Sequence, residues 1–138
     1  MVLLDIDSHA GVPIYRQVMN QIRRQIMTGR LAPDEQLESV KNLSTRLNVN
    51  PMTISKAYGF LVEEGLVERR RGVGLFVTQL HAGSRRRMQQ TMLREAFGKA
   101  ASLAVQMGVD EKEASRLFTE HLRRLRSPRK GRGNDEPR

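Results

Sequence analysis

The sequence predicts a mainly α fold with one small β-hairpin, arranged as an N-terminal domain followed by a two-helix appendage. Three observations carry that reading. Apolar residues recur at helical spacing in five separate stretches, each bounded by capping or breaking residues. Between the third and fourth of these, two short runs flank Gly72-Val73-Gly74, the pattern of a tight hairpin. After Gly83 the chain changes style, and methionine and alanine dominate one long apolar stripe.

The first ten residues alternate weakly and run extended into the first helix. Gly11-Val12-Pro13 opens that helix, since proline needs no backbone donor near a first helical position. Ile14, Val18, Ile22 and Ile26 form its buried stripe, and Gly29 stops it. Leu31 to Glu35 read as a loop in which Pro33 prevents an early restart. Ser39 caps a second helix whose Val40, Leu43 and Leu47 face inward, and Asn48 breaks it.

The third helix follows after a very short turn. Asn50 is a suitable N-cap and Pro51 a suitable first residue. Ile54, Ala57, Tyr58 and Leu61 bury one side, leaving Met52, Thr53, Ser55 and Lys56 on a short, polar and basic one. The positive end of the helix dipole points at whatever these residues meet. Two short helices at this spacing form a helix-turn-helix, the second having the character of a major-groove recognition helix. An ordinary amphipathic helix with a capped start is the plainer alternative for this stretch alone.

Gly65 ends the third helix. Residues 66–71 and 75–78 are the expected strands, with Arg69, Arg70 and Arg71 on the approach to the tip. Coming directly after a helix-turn-helix, this hairpin reads as a wing that lays Arg70, Arg71 and Gly72 along a phosphate backbone or minor groove. Gly72-Val73-Gly74 is too short for a phosphate-cradling loop and opens no helix.

Met88, Met92, Ala96, Ala100, Leu103, Ala104 and Met107 trace the fourth helix, supported by Leu93, Phe97 and Ala101, and Gly108 ends it. Asp110 and Glu113 start a fifth, with Ala114, Leu117, Phe118, Leu122 and Leu125 as its stripe. Two helices alone cannot bury two apolar faces, so self-association is expected. The residues assigned to dimerisation are Met92, Ala96, Phe97, Ala100, Leu103, Ala104, Met107, Leu117, Phe118 and Leu122. Packing of the hairpin back on its own N-terminal domain is the alternative. The expected organisation is thus a winged helix-turn-helix domain at 1–79, a C-terminal two-helix dimerisation hairpin at 80–126 and a disordered basic tail at 127–138.

Bulk composition bounds the function. There are 24 Lys+Arg against 15 Asp+Glu, a formal net charge of +9, which favours polyanionic partners. Up to Gly83 there are ten basic and eight acidic residues, so the excess lies in the second part and does not mark the recognition helix. Without cysteine there is neither a disulfide framework nor a thiolate metal site. No apolar run approaches the roughly 18 residues of a membrane span, and the start lacks a signal-peptide pattern. A cytoplasmic protein without a membrane partner is expected. His9, His81 and His121 stand in unlike segments with no metal spacing, and the acids show no catalytic pattern, so neither a metal, a cofactor nor an enzyme activity is expected.

In combination, these residues resemble the GntR-type winged-helix transcription regulators of bacteria. Pro13-Ile14-Tyr15-x-Gln17 is similar to that group's opening motif, and Gln36 to Leu43 to its second-helix motif. Val49 to Tyr58, Leu61, Glu64-Gly65 and Gly72-x-Gly74-x-Phe76-Val77 complete a resemblance over residues 12–78. The Val-Asn-Pro-x-Thr and Ala-Tyr variants, with only two helices appended, resemble the YtrA-like branch. That resemblance implies a repressor that binds a pseudo-palindromic double-stranded DNA operator as a homodimer. It also implies phosphate contact at Lys41, recognition by Met52, Thr53, Ser55 and Lys56, and a wing tip at Arg71 and Gly72; the capping residues Ser39 and Asn50 are assigned to the DNA-binding surface with them. Glu38 stands where the family usually has proline, and Pro51 where much of the wider family has arginine. Nonspecific nucleic-acid packaging and a winged-helix protein-interaction adaptor are the alternatives from other classes. An effector is unidentified, and two helices leave little room to enclose one within a single subunit.

Overall fold

The computed structural model describes residues 3–127, so the tail expected to be disordered lies, beyond Ser127, outside the described residues. Seven elements occur in the order α1 (Ile14–Met27), α2 (Val40–Leu47), α3 (Pro51–Glu63), β1 (Val67–Arg70), β2 (Gly74–Val77), α4 (Ala82–Gln106) and α5 (Glu111–Arg126). They fall into two units that divide after Gln89.

In the first unit the core is the set of inward stripes. Val18, Ile22 and Ile26 of α1 meet Leu43 of α2 and Ile54, Ala57, Tyr58 and Leu61 of α3, closed by Leu66, Val67, Phe76 and Val77 of the hairpin. Each such aliphatic side chain stabilises the fold by about 1.5–3 kcal/mol relative to remaining exposed. The helix ends follow local chemistry. Ser39 Oγ accepts from the Asn42 amide at 3.0 Å, and Asn50 Oδ1 from the Met52 amide at 2.9 Å. Asn48 closes α2 in the left-handed conformation, with φ 53°. Pro13 falls at the N-cap of α1 rather than inside it, a difference of one position.

Three features depart from the sequence reading. The first is a third edge on the wing. Where a loop was expected, residues 34–37 run beside β2, with the Asp34 amide donating to Val77 O, the Val77 amide to Glu35 O and the Leu37 amide to Leu75 O, each at 2.8 Å. Only two strands were legible because this pairing joins distant segments. The strands themselves are shorter than expected, with Arg70 opposite Gly74 and the turn at 71–73. Gly74 adopts φ 140°, and a Cβ there would lie 2.8 Å from Gln36 Nε2, which itself donates to Val73 O at 3.0 Å.

The second departure is how the extended start is held. Gln17, Gln21 and Gln25 lie on one face of α1, each a turn apart. Their amides bind the backbone of Asp7, Asp5 and Leu3 in turn, at 2.6–2.9 Å. Four helical residues rise about 6 Å and two extended residues about 6.6 Å, so the two periods nearly match. The third is the start of α4. A break was expected at 81–84, yet Ala82 to Ser84 are helical. The first turns belong to the first unit, because the Arg85 guanidinium and the Gln89 amide both donate to Met27 O, at 3.1 and 3.0 Å.

In the second unit α4 and α5 form the expected αα-hairpin. Gly108 ends α4, and Asp110 Oδ1 accepts from the Glu113 amide at 2.8 Å to start α5. Phe97 and Phe118 meet edge to face at 5.3 Å. None of the residues of α5 or of this part of α4 is buried.

Candidate nucleic-acid interface

The face of α3 opposite its buried stripe is the starting point. Met52 is 78% exposed at the first turn, and Ser55 and Lys56 follow on the same outward side. Thr53 is half-buried on the flank. With Asn50 committed to the Met52 amide, the positive pole of α3 stays directed outward at this ridge. Ser39 and Lys41 are exposed at the start of α2, Ser39 with its hydroxyl engaged as a cap. Arg71 and Gly72 are exposed in the wing turn, Gly72 with φ 75°.

Two bonds fix these parts to one framework. The Tyr58 hydroxyl donates to Glu38 O at 2.9 Å, tying α3 to the residue that precedes the α2 cap. The Leu37 amide, one residue earlier, donates to the wing at Leu75 O. Burial first, and the neighbouring Glu38 carboxylate second, push the Tyr58 phenol well above its ordinary pKa, with Arg46 opposing. Tyr58 therefore remains a neutral donor at any physiological pH. Tyr58→Phe should lower stability by about 1 kcal/mol, because Glu38 O loses its partner. Urea unfolding measures this, and an unchanged midpoint would count against the bond as a tie between α2 and α3.

Charge is distributed in a way the totals conceal. Glu38, expected to place an acid near the polyanion, is gripped by Arg46 with contacts of 2.7 and 3.2 Å. Glu64 forms a two-pronged pair with Arg23. Asp34 and Glu68 both bind Arg70, at 2.5 and 3.0 Å. By contrast, Lys41, Lys56, Arg69 and Arg71 have no acidic partner among the described residues. Glu38, Glu64, Asp34 and Glu68 are thus held by arginines, while Lys41, Lys56, Arg69 and Arg71 on α2, α3 and the wing are left without an acid.

Arg70 has partners that the sequence did not reveal. Its guanidinium, held by Glu68 and Asp34, also lies 4.1 Å over the Phe76 ring, so it cross-links β1, β2 and the 34–37 edge. Arg69, which the sequence reading did not single out, is exposed and without an acidic partner. Strand alternation could have found it, since Arg69 and Arg70 point to opposite faces of β1. Lys56 also has a partner that spacing alone could not reveal: its ammonium lies 4.0 Å over the Tyr15 ring of α1. No group of acids and histidines with metal-binding geometry occurs among the described residues, and no described helix is long and apolar enough to cross a membrane.

The α4–α5 hairpin forms an open trough of about 810 Å³ along which most of the residues assigned to dimerisation lie. Phe97, Ala100, Leu103, Ala104, Met107, Leu117 and Phe118 line it, while Met92, Ala96 and Leu122 lie on the same two helices outside it. The trough is a surface between two helices rather than an enclosed chamber.

The family described as "Bacterial regulatory proteins, gntR family" matches residues 14–77. The chain is 32% identical over 108 residues to the HTH-type transcriptional repressor YtrA of Bacillus subtilis, covering 78% of this chain and 83% of that protein. A GntR family transcriptional regulator from Listeria monocytogenes superimposes with a TM-score of 0.74 at 26% identity, over 83% of this chain and 98% of that one. The chain is also similar to AraR(DBD), solved in complex with operator ORX1, with a TM-score of 0.50 and 31% identity over 54% and 96% of the two chains.

Proposed function

The chain belongs to the gntR family of bacterial regulatory proteins and is a DNA-binding transcription regulator, and from that premise we propose that it represses transcription as a homodimer on a two-fold-related operator. The observation that carries this is the outward ridge of α3, capped, polar and basic, with neighbouring acids held by other arginines. Met52, Ser55 and Lys56 read base edges in the major groove, and Thr53 supports them from the flank. Asn50, Ser39 and Lys41 set register on the phosphates at the two helix starts, where amide donors and helix dipoles favour anions. Arg71 and Arg69 grip the phosphate backbone from the wing, over Gly72 at the tip, while Arg70 holds the wing in shape. The work is recognition rather than catalysis and takes place in the cytoplasm beside the chromosome. No effector pocket buried within a single subunit belongs to this reading.

Selection from a random duplex pool, at about 150 mM salt to suppress nonspecific phosphate binding, tests the reading. The expected product is one sequence related to itself by a two-fold axis, with half-site centres about one helical turn, or a multiple of it, apart. Recovery of unenriched duplexes, with binding that tracks salt alone, would sink the proposal in favour of nonspecific packaging.

A further inference from the structure

Phe60 is 37% exposed on a helix that otherwise hides its aromatic residue, and the reason lies across in α1. The Tyr15 ring stacks on Phe60, with centroids 5.7 Å apart and planes at 26°, and the same ring carries the Lys56 ammonium at 4.0 Å. Phe60 is one helical turn beyond Lys56, so two successive turns of α3 grip one ring from α1.

We propose that Tyr15 is a positioning residue for DNA recognition: it fixes the direction of the Lys56 ammonium before DNA arrives. This rests on the reading of α3 as the recognition helix. Lysine is a point charge on a flexible four-carbon stem, and a free one loses its rotamer freedom when it docks on a base. A ring face attracts the cation without consuming all three N–H donors, so those pointing away remain available to guanine O6 and N7. Phe60 keeps the ring from rotating away. Tyr15 thereby influences which base is read from a helix that does not itself enter the groove.

Two measurements test this. In the free protein, NMR should show the Lys56 terminal methylene protons shifted upfield by the ring. The shift should persist in Tyr15→Phe, which keeps the ring, and vanish in Tyr15→Leu. On the duplex enriched from a random pool, Tyr15→Leu should reduce the ratio of enriched to scrambled affinity by about two- to five-fold, the range of a solvent-facing cation–π contact. Tyr15→Phe should leave the ratio unchanged, and adding Tyr15→Leu to Lys56→Met should reduce it no further, because the two residues act as one.

A role in folding alone would lower the unfolding midpoint in Tyr15→Leu while leaving the enriched-to-scrambled ratio unchanged, and that result overturns the proposal. Unshifted Lys56 methylenes in the wild-type protein overturn it without any variant. Tighter operator binding by Tyr15→Leu also overturns it, since the ring would then be withholding the lysine. If no duplex is enriched at all, the operator reading falls and this inference falls with it. An enriched duplex with additive variants removes only the role of Tyr15.

Discussion

Leu103→Glu should turn a dimer into a monomer and weaken operator binding by about a hundred-fold or more, the usual gain when a second half-site is engaged by a linked module. The cause is visible in α4 and α5. Leu103 of α4 is 56% exposed and Met107, just past its end, is 70% exposed, and no described residue of α4 or α5 is buried. Phe97 and Phe118 hold the pair together edge to face, yet about half of each ring remains in solvent. The trough between the two helices is lined mainly by apolar side chains. The alanines at 96, 100, 101 and 104 add that another helix can approach α4 closely. Covering the face with a second copy suits the two-fold operator proposed above. A glutamate at 103 would be desolvated without a partner in that interface, whereas Leu103→Met conserves volume and should stay dimeric. Light scattering at micromolar concentration, paired with binding isotherms, gives the answer. A monomeric wild type, or a Leu103→Glu protein that remains dimeric, would remove the hairpin from this role.

What was legible in the sequence is what local chemistry decides. Asn50 and Pro51 announce the start of α3, and the spacing of Ile54, Ala57, Tyr58 and Leu61 announces its buried side, without reference to any other segment. The same holds for Ser39, Asn48 and Gly108 at other helix ends. Non-local pairing was not legible. Gln36 stands beside Phe76 because the wing recruits a third edge, and no pattern within 31–37 signals it. The glutamines of α1 look like a solvated face until the extended start is laid against them. Charge pairing behaved likewise. Glu38 reads as an acid beside the DNA surface, yet Arg46, two helical turns on, neutralises it. Three consecutive arginines look equivalent in the sequence, but Asp34 and Glu68 single out Arg70 as the structural one.

That sorting of cations leads to the second large effect. Lys56→Ala should weaken operator binding by about 1–3 kcal/mol while changing affinity for scrambled duplex much less. Lys56 is exposed on the outward side of a capped helix and has no acid to leave behind. Its contribution is therefore available to whatever base edge it meets. Arg71 should behave differently. It sits in the three-residue turn of the wing, outside the β-ladder, where phosphate rather than base edge is the nearest common feature of any duplex. Arg71→Ala should then weaken both duplexes alike and lower the slope of log affinity against log salt by about one. Arg70→Ala offers a third pattern, a loss of wing stability ahead of any loss in the salt slope, because its charge is already shared with two acids. Isotherms for the three variants on both duplexes, at several salt concentrations, separate these roles. Equal weakening of both duplexes by Lys56→Ala would make α3 a backbone clamp and move base reading to another element. An unchanged salt slope in Arg71→Ala would take the wing tip off the phosphates.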